Sequence, residues 1–151
     1  MNKITLTLGE IQQLENEING FVKLKTGEII YEGFLKQNLS IILKYELKEL
    51  SIELIKEKTK IDELRDELIK KHGDVDENGG LSINMFLEEK DDTGKVIGKR
   101  INPRWPEFDK EYAILLSQQK EITYPDITIE DLKKAGDTKD DYQVLFKLVK
   151  K

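Results

Sequence analysis

FLKQNLSIILKYELKELSIELIKEKTKIDELRDELIKKHG, residues 34–73, is the stretch that decides the fold. Leu43, Leu47, Leu50 and Leu54 step by four, three and four. Ile61, Leu64 and Leu68 resume that register after Glu57 takes one apolar slot. A stripe of this period is the signature of an amphipathic or coiled helix. Ile41, Tyr45, Ile52 and Ile55 form a second stripe beside it. The apolar face is therefore wide at 39–55, which predicts burial against several elements, and narrow at 57–71, which predicts a single partner helix. Glu53, Glu57, Glu63 and Glu67, with Lys56, Lys60, Lys70 and Lys71, supply the charged outer face. Gly73 ends the helix, and Lys70, Lys71 and His72 suit its negative end.

The start of this helix depends on residues 21–32, FVKLKTGEIIYE. Thr26-Gly27 could turn a hairpin between FVKLK and EIIYE. The favoured reading is that Thr26 caps a helix beginning at Glu28. Gly33 fits neither reading well. A helix over 28–72 would be about 68 Å long at 1.5 Å per residue. A compact chain of this size is only about 40 Å across, so the helix must break or project. The best break is Lys58-Thr59-Lys60, where Thr59 and Asp62 have capping-box spacing. A projecting helix needs a partner for its stripe.

Working outward, residues 3–8 alternate as a short strand, with Ile4, Leu6 and Leu8 on one face. Thr7 and Glu10 have capping-box spacing for a helix over about 9–19. Ile11, Leu14 and Ile18 lie on its inner face and Gly20 is its stop. Beyond Gly73, DVDENGG (74–80) is a turn-rich loop. Leu81, Ile83, Met85 and Leu87 alternate, Asp91-Asp92-Thr93-Gly94 turns, and Val96 to Ile101 return, which predicts a β-hairpin over about 81–101. Pro106 suits the first turn of a helix over 107–118 that carries Phe108, Tyr112, Leu115 and Leu116. EITYPDITIE is extended, with Pro125 favouring an edge. Thr128 and Asp131 open a short helix to Ala135, stopped by Gly136. A last short helix puts Tyr142, Leu145, Phe146 and Val149 on one face.

Composition excludes more than it suggests. At 151 residues the chain is expected to be one domain, with a helical part over 1–73 and a hairpin-and-helix part over 74–151. With no cysteine, disulfides, thiol catalysis and cysteine metal sites are out. The single histidine, His72, cannot by itself build a multi-histidine metal centre. Thirty acids against twenty-five bases leave a net charge of −5, and neither side of Gly73 is basic. Nucleic acid is therefore an unlikely partner. No stretch approaches the roughly eighteen apolar residues of a membrane span, and the N-terminus lacks a signal-peptide core. The expectation is a soluble protein made in the cytosol.

Few residue constellations carry chemistry. Asp74, Asp76, Asn78 and Gly79 spell the first half of a calcium loop, but its twelfth position is Met85 rather than glutamate. They are weak metal candidates beside the plainer reading of an acidic turn. His72 next to them reads as a helix C-terminal cation. Gly-x-Ser-x-Gly, a P-loop and a dinucleotide fingerprint are all absent. Arg100, Arg104 and Trp105 form a local aromatic-and-arginine spot that suits self-packing first and a protein contact second.

Several pieces together resemble a family of small proteins encoded by tailed phages and prophages. They are Tyr31 and Asn38 seven residues apart, Lys71-His72-Gly73, the Asp76-Glu77 and Gly79 turn, Phe108, Leu115 and Leu116 on a later helix, and the acidic extended segment 121–132. The Lys/Ile-rich style is similar to proteins of phages of Bacteroides-type hosts, including the crAss-like group. The resemblance implies a structural or assembly role and carries over no catalytic residue.

The combined expectation is an α+β chain, mostly α, with a long central helix or helical hairpin at about 28–72, a small β-hairpin and short C-terminal helices. It is a non-enzymatic auxiliary capsid or other virion component without cofactors. It acts by contact with other phage structural proteins, the major capsid protein among them, or with copies of itself. The contact residues are Leu43, Leu47, Leu50, Leu54, Ile61, Leu64 and Leu68 on the stripe, with Arg100, Arg104 and Trp105 on a second surface. An intracellular regulatory or assembly-chaperone module, and a small metal-dependent domain using the 74–79 loop, stay open as alternatives.

Overall fold

Helix α2 runs unbroken from Ile41 to His72. The computed structural model that shows this describes residues 2–75, 77–134 and 140–150. Before α2 in the chain come β1 (Asn2–Thr7), α1 (Leu8–Asn19), β2 (Phe21–Val22), β3 (Ile29–Tyr31) and a 3-10 turn (Phe34–Lys36). After it come β4 (Asp74–Val75), β5 (Leu81–Ser82), β6 (Phe86–Lys90), β7 (Val96–Ile101) and α3 (Trp105–Leu116). The chain closes with β8 (Gln119–Tyr124), β9 (Ile127–Thr128), α4 (Ile129–Lys134), α5 (Leu145–Leu148) and β10 (Val149–Lys150). The architecture is α+β and mostly α, with a long helix, several two-stranded sheets and short C-terminal helices.

The chain divides into two compact units. The first joins Met1–Lys60 with Ser117–Lys151, and the second is Ile61–Leu116. The divisions thus fall within α2 and after α3, not at Gly73. Periodicity cannot place them, because α2 contributes its stripe to both.

Two boundaries of α2 differ from the sequence expectation. It begins at Ile41 rather than Glu28, with the Ser40 hydroxyl accepting the Leu43 N–H at 3.2 Å. Residues 21–31 take the hairpin alternative instead. There the Lys23 N–H donates to Glu28 O at 2.9 Å, and Gly27 turns the chain at φ 69°. Nor does α2 break at 58–60. The Thr59 hydroxyl donates back to Ile55 O at 2.9 Å within the helix rather than capping a new one, and no glycine or proline interrupts the ladder.

In the first unit, β1 and β8 form an antiparallel pair in register from Asn2↔Tyr124 to Thr7↔Gln119. Helix α1 opens with the predicted capping box. Glu10 N–H donates to the Thr7 hydroxyl and Thr7 N–H to the Glu10 carboxylate, both at 3.1 Å. The core unites Leu6 of β1, Ile11, Leu14 and Ile18 of α1, Phe34 of the 3-10 turn, Leu43, Leu47, Leu50 and Leu54 of α2, and Ile122 and Ile127. Tyr142, Val144, Leu145 and Leu148 close it. Of the C-terminal face read from the sequence, Phe146 is exposed and Val149 belongs to β10, which pairs in parallel with β9. Ala135 and Gly136, the expected end of α4, lie outside the described residues.

The Gly33 anomaly has a steric cause. Gly33 (φ 99°) and Gly20 (φ 89°) pass each other backbone to backbone. A Cβ at Gly33 would stand 2.8 Å from Gly20 N and 2.9 Å from Asn19 C. Asp140 fastens the same turn, accepting from Glu32 N–H at 2.8 Å and Gly33 N–H at 3.0 Å. Gly33→Ala is expected to cost about 1–3 kcal/mol from the positive φ alone, read as a lower urea midpoint with unchanged slope.

In the second unit the expected 81–101 hairpin resolves into two short ones. Leu81–Ser82 pairs antiparallel with Asp74–Val75, while β6 pairs with β7 from Phe86↔Ile101 to Lys90↔Val96. The Asp91–Gly94 turn forms as read, with an Asp91 carboxylate oxygen accepting from Thr93 and Lys95 N–H. Ile69 of α2 and Phe108 of α3 are buried. Trp105, Phe108 and Tyr112 pack in series along α3, with ring centroids 5.5 and 5.7 Å apart.

Candidate contact surface

The leucine stripe expected to meet a partner is occupied by this chain's own core. Leu43, Leu47, Leu50 and Leu54 are buried against α1, β1, β8 and the C-terminal segment. This corrects their assignment as contact residues: each is sealed inside the first unit. Ile61 is also buried, Leu68 is half-buried, and of the seven only Leu64 is exposed. The narrow part of the stripe has Ile69 as its buried member in place of Leu68. At the end of α2, Glu111 of α3 accepts from Lys71 Nζ at 2.8 Å and pairs with His72 Nε2. His72 is thus a helix-end group with a carboxylate partner.

Glu57, the apparent break in the stripe, is a buried polar anchor. Lys120 of β8 and Lys60 both pair with its carboxylate, Lys60 at 3.2 Å. Burial pushes its pKa up, and the bonds from these two lysines more than reverse that, leaving it lowered. Glu10 is lowered as well, chiefly by Lys147 and then by the Thr7 N–H. Both groups bind protons more readily unfolded than folded. They therefore stabilise the chain above the ordinary carboxylate value, and that contribution is lost as pH falls through their lowered values. Glu57→Gln is expected to flatten the acid-side loss of stability, measured as urea midpoints from pH 7 down to 3.

Of the aromatic-and-arginine spot, Arg104 is spent internally. Its guanidinium spans the Asp74 carboxylate at 3.1 and 3.2 Å. Trp105, half-buried, opens α3 against Phe108 and borders a shallow groove with Ile69, Leu81 and Tyr112. Arg100 stands on β7 opposite Leu87 and is exposed. Arg104 and Trp105 thus follow the self-packing reading. A residue the sequence did not single out, Asn102, holds this corner. It is buried, donates through its amide to Asn84 O at 2.9 Å, and accepts from Arg104 N–H at 3.0 Å.

The calcium reading gains no geometry. Asp74 serves Arg104, Asn78 lies in the turn, and Asp76 lies outside the described residues. Among the described residues no group of three or more histidines or acids could hold a metal ion. No helix among them is long and apolar enough to cross a membrane.

What the first unit does present is apolar surface. On the side of α2 away from the core, Ile41 is 80% exposed, Ile42 69%, Tyr45 70%, Ile52 68% and Ile55 48%. These are the second stripe of the sequence, Ile41, Tyr45, Ile52 and Ile55, joined by Ile42. The stripe's adjacency to the leucines suggested burial, but about 100° per residue sets Ile52 some 200° from Leu54. The β2–β3 hairpin adds exposed Phe21, Val22, Leu24 and Ile29. In the second unit, Phe86, Val96, Ile97 and Ile101 are exposed on the two-stranded β6–β7 hairpin.

Comparison with known proteins identifies no relative: no family model, no curated protein and no solved structure matches the chain.

Proposed function

We propose that this chain is a non-enzymatic protein that works by contact, as an auxiliary component of a phage virion. The observation that carries the contact reading is the apolar outer face of α2, from Ile41 to Ile55, left uncovered by the chain's own core. Apolar patches of this kind on a soluble fold mark interaction surfaces. The charged flanks of the helix keep the surface soluble until it is covered. The phage assignment rests on the resemblance carried by Tyr31, Asn38, Lys71-His72-Gly73 and the Asp76–Gly79 turn.

Quantitative mass spectrometry of purified virions from a phage encoding this chain tests the proposal. The expected result is a constant ratio to the major capsid protein. Absence from particles together with abundance in infected cells would overturn the virion assignment and leave an intracellular binding module.

A further inference from the structure

We propose that the exposed face of α2 is the seam of a parallel, in-register dimer with a second copy of this chain. The inference rests on the contact reading above and names the partner.

The seam follows from spacing. Ile41, Tyr45, Lys48, Ile52 and Ile55 step by four, three, four and three, the alternation of the two inner positions of a heptad. All five are exposed. The buried residues Leu43, Leu47, Leu50 and Leu54 occupy the opposite side, so a second helix can approach without displacing the core. Beyond Ile55 the same register continues through Thr59, Asp62 and Asp66, which are polar. The apolar seam is thus confined to 41–55.

Overlap of the short apolar seam is kept by a parallel pair, in which every apolar residue meets its own copy, and by an antiparallel pair with Lys48 against Ile52. The flanks separate the two. In the antiparallel pair Glu49 would face its own copy and Lys44 would face Lys58, like charge against like.

Charge agrees with the parallel choice. In a parallel seam the residue before one heptad's first inner position faces the partner's flank five residues on. Lys44 of one copy then faces Glu49 of the other, and the two-fold axis makes this contact twice. At the next such position Ser51 is buried against Asn19 and leaves Lys56 without a charged opposite, so no like charges are opposed over 41–56. Lys48 sits in the seam itself. Its long stem can lie along the apolar surface with the ammonium in solvent, which a two-helix seam permits and a closed three-helix core does not.

The test uses the full chain. Its lack of cysteine makes single-cysteine variants clean reporters. Sedimentation equilibrium at micromolar concentration should give twice the chain mass. Ile41→Cys and Ile55→Cys, made separately, should each form a disulfide-linked dimer on mild oxidation. The antiparallel pair with Lys48 against Ile52 would place Ile41 about 27 Å and Ile55 about 15 Å from its own copy, at 1.5 Å per residue. Ile52→Glu should raise the dimer dissociation constant about tenfold or more, with an unchanged circular dichroism spectrum. Tyr45→Lys serves as the second seam variant if Ile52→Glu does not fold. Lys44→Glu should weaken the dimer, and adding Glu49→Lys should restore it.

A monomer, an assembly larger than two, a dimer indifferent to the folded seam variants, or failure of both cysteines to link would each overturn the inference. Self-association is read on the isolated chain and incorporation in virions. A monomeric chain found at constant ratio in particles therefore overturns this inference alone.

Discussion

Leu54→Ala is expected to destabilise the chain by about 2–5 kcal/mol, whereas Leu64→Ala should change stability by less than about 0.5 kcal/mol. The two leucines belong to the same stripe of the sequence and differ in their surroundings. Leu54 is fully buried in the core of the first unit, and Leu64 is 43% exposed. Truncating Leu54 removes apolar burial and leaves a cavity lined by neighbours that relax only in part. Truncating Leu64 removes surface that water already reaches. Urea unfolding of both variants, followed by circular dichroism, separates them. Equal losses would mean that Leu64 is covered in solution.

The second large effect is expected at Glu17. This carboxylate is fully buried and accepts the backbone N–H groups of Gln143, Val144 and Leu145, the last two at 3.1 and 3.3 Å. Glu17→Ala leaves three donors in a dry site without their acceptor, so a loss of about 3–5 kcal/mol is expected. Glu17→Gln keeps one acceptor oxygen and should cost less. Burial raises the pKa of Glu17, and the three N–H groups and Gln13 reverse only part of that rise. A raised folded value means that the unfolded chain gives up this proton first as pH rises. The Glu17 contribution therefore falls as pH climbs from the ordinary carboxylate value through the raised one, opposite in sign to Glu57 and Glu10. The stability difference between the wild type and Glu17→Gln, measured by urea unfolding from pH 4 to 8, should shrink toward the upper end of that window.

Where local chemistry decides structure, the sequence was readable. Thr7 and Glu10 announced the start of α1, Gly73 the end of α2, and Asp91–Gly94 a turn, because each rests on contacts a few residues apart. The start of α2 differs from the sequence expectation for a tertiary reason. The positive φ of Gly33 is set by Gly20, thirteen positions earlier, and by Asp140, more than a hundred later. The candidate surface was half legible. Both stripes of α2 are visible in the sequence, but the one the chain covers is covered by residues as remote as Ile122 and Leu145. Spacing carries no sign of that long-range choice. Glu57 looked like an interruption because its partner, Lys120, is remote in sequence.

The discontinuity of the first unit also constrains its birth on the ribosome. Residues 61–116 are contiguous and emerge together, so nothing in their connectivity delays their folding. The first sixty residues must instead wait for β8 to pair with β1, and for Val144, Leu145 and Leu148 to complete the core. Until Val144, Leu145 and Leu148 clear the exit tunnel, Leu47 and Leu54 have α1 and Phe34 beside them but not the rest of their core. During that interval the nascent chain is a natural client for a chaperone that binds apolar helices.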